Sequence, residues 1–326
     1  MSDGLSAKAW LFLGAVALVS AVAATVSPLG TYAFTLAAFG LVHVLTELRY
    51  VDRRFSPRLP FGLTATWLGI IGVILLLRVW RMTAESPVGH GPAIELGLVA
   101  VLAASALFAL RDAPWPRKLI GMLVVGGLGY GAWVAPVATL VLLAVLHNLT
   151  PIGFLAERFQ GRGRRVWLVG AAVLFLGVPL LVGGGVTNAV LERLGWITQD
   201  TGPLGSGTLE EHLGVFLPAA WHGRFDAAWV FDAAADLQCM HYAVVIGLLP
   251  RLEPASASDA ASVYVRWPAR RVWMMVLLLV AGVGFAYYAH DFRDARAVYG
   301  LFALVHAWIE VPILLAAMAP LPESAA

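Results

Sequence analysis

Apolar residues run along this chain in blocks long enough to cross a lipid bilayer, separated by short polar stretches rich in Arg, Pro and Gly. A helix rises 1.5 Å per residue, so spanning the hydrocarbon takes roughly 20 such residues. Blocks of that kind fall at about 9–26, 30–49, 61–80, 93–110, 118–134, 136–156, 166–186, 227–249, 271–289 and 297–319. The fifth is glycine-rich (Gly126, Gly127, Gly129, Gly131) and ends at Pro136, where the sixth begins. This pattern predicts an all-α, polytopic membrane bundle of about ten transmembrane helices, with residues 1–326 forming a single membrane domain. The block at 9–26 follows Lys8 and ends in small residues, as a signal peptide does. It reads as a retained first helix, because the apolar blocks continue with no distinct soluble domain behind it.

Loop charge orients the bundle. Basic residues favour the cytoplasmic side. With the N-terminus inside, most of the 22 Lys and Arg residues fall on that side, including the groups Arg49/Arg53/Arg54/Arg58 and Arg162/Arg164/Arg165. Only Arg78, Arg81, Arg193, Arg224, Arg293 and Arg296 fall outside. Both termini are therefore expected in the cytoplasm of a multi-pass protein of a bacterial-type inner or plasma membrane. The one sizeable soluble stretch, 187–226, is expected on the outer side, with a short amphipathic helix (Leu209 to Phe216) lying over the bundle mouth. The Ala- and Ser-rich segment 252–263 reads as a flexible cytoplasmic loop.

Composition agrees. The chain is 60% hydrophobic and 13% charged, against about 25% charged in soluble domains. A net charge of +2 offers no footprint for nucleic acid, and nothing marks a protein partner. Cys239 is the only cysteine, so no internal disulfide or iron–sulfur site can form. It reads as a small core residue.

The chemistry stands out against this background. His43, His147, His241 and His306 lie inside apolar spans two, six, eight and ten, which run in the same direction, each in the cytoplasmic half of its span. Polar groups at that depth are expensive and are usually functional. A lone intramembrane histidine is ordinarily a hydrogen-bonded packing residue, but four at matched depth on co-directional helices predict one metal site in the bundle core. His43 and His306 each carry a glutamate four residues later, Glu47 and Glu310, on the same helical face one turn away. Glu310 has no nearby basic residue and is the stronger candidate ligand. Glu47 approaches the Arg49/Arg53/Arg54 group and could pair there instead. Gln238, at i−3 from His241, and Asn148, beside His147, are expected to hydrogen-bond a ligand imidazole or a bound water. Asp236 is open between ligand, proton carrier and partner of Arg78, which could equally snorkel. Trp308, between His306 and Glu310, is expected to wall an apolar pocket. His90, His212 and His222 read as surface residues. A mixed imidazole and carboxylate donor set suits Fe, Zn, Cu or Mn rather than Mg or Ca.

Taken in order, His43 with Glu47, His147 in His147-Asn148-Leu149-Thr150-Pro151, His241, and His306 with Glu310 resemble the motifs of the Brp/Blh family of membrane β-carotene cleavage enzymes. The resemblance is carried by a handful of positions spread over most of the chain. It implies an all-helical bundle with a non-haem iron centre that uses O2 to cleave a polyene to retinal. The sequence departs from the family pattern in having glutamate where the family has aspartate at i+4. It also has Val42-His43-Val44 for Pro-His-Gly, and His241 alone where the family pairs histidines.

Three functions fit these residues. The first is an integral-membrane non-haem iron oxygenase, taking O2 and a lipophilic small molecule that enters from the membrane lipid, with one carboxylate accepting a hydrogen bond from an imidazole. The second is a proton- or cation-coupled transporter using Asp232, Asp236, His241 and Glu310. The third is a b-type haem protein with histidine axial ligands.

Overall fold

The computed structural model describes residues 4–83, 89–196, 202–252 and 265–319. Every regular element among them is helical. In chain order these are α1 (Ala7–Val26), α2 (Pro28–Phe55), α3 (Phe61–Thr83), α4 (Gly91–Ala106), α5 (Trp115–Val134), α6 (Pro136–His147) and α7 (Thr150–Arg158). There follow α8 (Gly161–Ala172), α9 (Val178–Gly183), α10 (Val186–Arg193), α11 (Ala227–Gly247), α12 (Leu249–Leu252), α13 (Arg270–His290) and α14 (Phe292–Ala316). A π-helical turn, Val173–Gly177, joins α8 to α9.

Each apolar block of the sequence is helical. Among the described residues, seven helices are long and apolar enough to cross a membrane, or eight if the pair α6 and α7, bent by 44°, is one span. Helix α4, with 16 residues, is shorter. The ends are set locally. Ser6 caps α1 through its Oγ, 3.3 Å from the Ala9 amide. Asp226 accepts from the Ala228 and Trp229 amides at 3.1 Å to open α11, and Asp291 accepts from Asp294 at 2.9 Å to open α14. These side chains take up amides that have no partner within the helix.

Helix α11 is the hub, packed against α1, α2 and α9, while α14 packs against α2, α3 and α4. Burial separates the helices by task. Within their apolar windows α11, α2 and α14 are 67, 56 and 44% buried, and the other four spanning helices only 17–33%. The four histidines lie on these three buried helices and at the end of α6. Large apolar side chains such as Leu11, Phe108, Trp133 and Leu180 point outward and exposed, as lipid-facing surfaces require.

The stretch 202–226 closes over one end of the bundle. In place of the amphipathic helix expected over Leu209–Phe216, it contains a single 3-10 turn there, Leu213–Val215. Two further turns lie at Pro203–Gly205 and Ala219–Trp221. Phe216 anchors it edge-on to Tyr32 and Phe231, with centroids 5.6 and 5.1 Å away. The segment 253–264, most of the loop expected at 252–263, lies outside the described residues.

His212, expected at the surface, is instead 3% exposed. Its Nε2–H donates to the Ser206 carbonyl at 2.6 Å, and its Nδ1 accepts from Arg296 at 2.7 Å. That arrangement requires a neutral ring. Burial holds the His212 pKa below the ordinary 6.5, opposed by the Ser206 carbonyl and assisted by the Arg296 charge. A histidine whose folded pKa is depressed stabilises the fold above its unfolded pKa and loses that contribution as pH falls. Limited proteolysis of 202–226 is therefore expected to be slow at pH 8 and to accelerate below about pH 6.5. In His212→Gln the rate should lose this pH dependence.

Candidate metal centre

Four imidazoles and a carboxylate meet where α2, α6, α11 and α14 converge. His43, Glu47, His147, His241 and His306 each offer one ligand atom, and these atoms all lie within 4.8 Å of one another. Their spacing along the chain explains the meeting. His43 and Glu47 share a face of α2. His147 is the last residue of α6, and Pro151 in the first turn of α7 lacks the amide that would carry the helix through. The resulting bend turns His147 toward α14. His241 and His306 project from the inner faces of the two most central C-terminal helices.

The nitrogens are aimed by their outer partners. His147 donates from Nδ1 to Glu310 Oε2 at 2.7 Å, and His43 donates from Nδ1 to the Phe39 carbonyl at 3.3 Å. With the proton on Nδ1, each neutral ring turns a bare Nε2 inward. His306 Nε2 lies 3.1 Å from His43 Nε2 and 3.0 Å from His147 Nε2. One proton on His306 can satisfy only one of these contacts. A cation between the three nitrogens satisfies all of them. Ligand nitrogens at the roughly 2.1 Å of a metal–imidazole bond and about 90° apart lie about 3 Å from each other, so the observed separations match an edge of a coordination sphere.

Orphaned polar atoms point the same way. His241 Nε2 approaches Glu47 Oε2 at 3.3 Å, with both side chains 0% exposed. The approach lacks hydrogen-bond geometry, and both Glu47 oxygens, both His241 nitrogens and Glu310 Oε1 have no hydrogen-bond partner. Leaving such groups unpaired in an apolar interior is costly. A shared cation would take up one His241 nitrogen and the Glu47 carboxylate, each of which offers a ligand atom to the group.

The two carboxylates exchange the weights that the sequence suggests for them. Glu47 faces the cluster, and the nearby Arg49 turns away to the Pro268 carbonyl and the Trp273 ring. Glu310 lies outside the five-residue group and holds the His147 proton, which fixes both tautomer and ring orientation. Glu310→Ala is expected to weaken metal binding about 10–100-fold without loss of helix content, measured by competition with a chelator.

The other polar candidates sit elsewhere. Asp236 accepts from Ser20 of α1 at 2.5 Å; five residues before His241, it points to a different side of α11. Gln238 donates to Thr35 at 3.2 Å rather than to an imidazole. Asn148 donates to the Ala144 and Val145 carbonyls at 3.1 and 3.2 Å and so closes the end of α6 at the bend. Arg78 pairs with Glu95, not Asp236, with Nη2 to Oε1 at 2.6 Å. Trp308 does not wall an open pocket, since its Nε1 donates to the same Glu95 at 3.1 Å.

Three further residues surround the site that no motif in the sequence marks. Tyr242 stacks on His43 with centroids 4.2 Å apart, and its hydroxyl lies 3.5 Å from that of Tyr299. Tyr299 packs over Gly40, where a Cβ would come within 3.0 Å of its ring. A glycine one turn before His43 and a tyrosine two turns before His306 were the available signals. Glu95 is the third; its signal was a carboxylate in one apolar helix facing an arginine in its neighbour.

Comparison of the chain with protein-family models, with curated proteins and with solved structures found no match.

Proposed function

We propose that this protein is a membrane oxygenase that holds one non-haem metal ion, iron, among His43, Glu47, His147, His241 and His306 and acts on a lipophilic substrate. The carrying observation is that His306 Nε2 meets the Nε2 atoms of both His43 and His147, at 3.1 and 3.0 Å, beside the unpaired Glu47 carboxylate. Neutral nitrogens with a carboxylate suit Fe, with Zn, Cu or Mn as competitors. Bound iron would supply O2 activation.

The chain's own residues do the rest. Glu310 keeps the His147 proton on Nδ1, and Tyr242 holds the His43 ring by stacking. The surrounding apolar helices exclude water, so O2 and an apolar substrate reach the site from the lipid. The proposed topology has ten crossings, counting α4, α5 and the bent α6–α7 pair, with both termini cytoplasmic. A polyene, the substrate class implied by the resemblance to the Brp/Blh family, is the first to test.

Geometry argues against the haem reading. Axial histidines need the whole macrocycle between them, whereas the rings of His147 and His43 lie only 4.6 and 4.9 Å from that of His306. The relay reading loses Asp236, which faces α1.

Iron-loaded protein in detergent should consume O2 in the presence of a polyene, with bleaching of its visible absorbance, and zinc-loaded protein should not. Equal inertness of both against polyenes and membrane lipid extracts, together with proton flux in liposomes, would favour the transporter.

A further inference from the structure

We propose that a groove between α1 and α8 binds one anionic phospholipid, with its phosphate at Arg162 and Arg165 and an acyl chain along Trp10, Val166 and Val169. The groove has a volume of about 760 Å³ and is lined by these five residues and Gly170. Residues 162, 165, 166, 169 and 170 fall on one stripe of α8, charged at its start and apolar over the following turns. From Arg162 to Gly170 the stripe runs about 12 Å, enough for a headgroup and the upper part of a chain.

The floor is a close-packed contact between α1 and α8. The Trp10 indole lies against Gly170, where a Cβ would stand 2.2 Å from its Cη2. Trp10 also packs on Trp167, with centroids 5.8 Å apart, and Trp167 is pinned by donating to the Ile152 carbonyl at 3.1 Å. The arginines point to an anion. Arg162 and Arg165 are exposed, with no acidic partner among the described residues, and they lie within the first five residues of α8. There they add to the positive end of the helix dipole, so the helix itself gains nothing from them. A lipid phosphate can accept from both guanidinium groups while its chain covers Val166 and Val169 along the groove.

Native mass spectrometry of the full-length protein in detergent tests this with phosphatidylglycerol and phosphatidylcholine of identical chains. The expected result is one phosphatidylglycerol retained per chain in preference to phosphatidylcholine. The R162Q/R165Q double variant should weaken its retention about 30-fold. Val169→Trp, which fills the groove and leaves both arginines, should also release the lipid, so the test survives if the double variant fails to fold. Equal retention of the two lipids, indifference to both variants, or displacement by millimolar inorganic phosphate would each overturn the proposal.

Discussion

Replacing His306 with alanine is expected to strip the protein of its metal. His306 Nε2 is the shared member of the two closest contacts, 3.1 Å to His43 and 3.0 Å to His147, so its removal opens the cluster at the centre. Losing a residue that merely orients a ligand costs about 10–100-fold in metal affinity, so losing a ligand should cost more than about 100-fold. The helix should survive, because alanine suits an apolar helix interior. Metal per chain after a chelator wash, beside an unchanged helical circular dichroism spectrum, measures this. His212→Gln serves as the control, since His212 lies in the loop over the bundle end. If His306→Ala keeps its metal, the convergence of rings is packing and not ligation.

The second large effect concerns Arg78. Glu95 is 1% exposed, and its carboxylate rests on two partners: Arg78, through Nε at 3.0 Å and Nη2 at 2.6 Å, and Trp308 of α14. Arg78→Ala leaves a buried carboxylate with an indole N–H alone. Breaking one side of a buried pair costs about 3–5 kcal/mol, and the 31% exposure of the Arg78 side chain puts the expected loss near the lower end, about 3 kcal/mol. Trp308 lies between His306 and Glu310, so the loss should also loosen the metal. Arg78→Met with Glu95→Leu, which removes both charges, should recover most of the stability. Thermal unfolding in detergent, followed with and without metal, checks both effects. A single variant that melts like the wild type would show that the pair is solvated.

The helical scaffold and the histidine cluster were legible because both depend on one-dimensional patterns. Apolar block length marks the helices, and a histidine inside such a block is conspicuous. The roles of Glu47 and Glu310 were not legible. Sequence neighbours set the expectation for Glu47, whereas the Trp273 ring and the Pro268 carbonyl, both remote in sequence, draw Arg49 aside. Asp236 misleads for a related reason, because a five-residue offset carries it about 140° around the helix, toward Ser20. The Glu95–Arg78–Trp308 contact joins three helices, and no local pattern encodes it. The loop at 202–226 mimics an amphipathic helix because its apolar residues, Leu209, Leu213 and Phe216, fall at helical spacing. They pack through turns instead, held by Tyr32 and Phe231.

Elemental analysis of detergent-purified protein, taken with its optical spectrum, tests the central claim most directly. One iron per chain with no haem absorbance is the expected result. Protein that remains metal-free after incubation with Fe, Zn, Cu and Mn would contradict it.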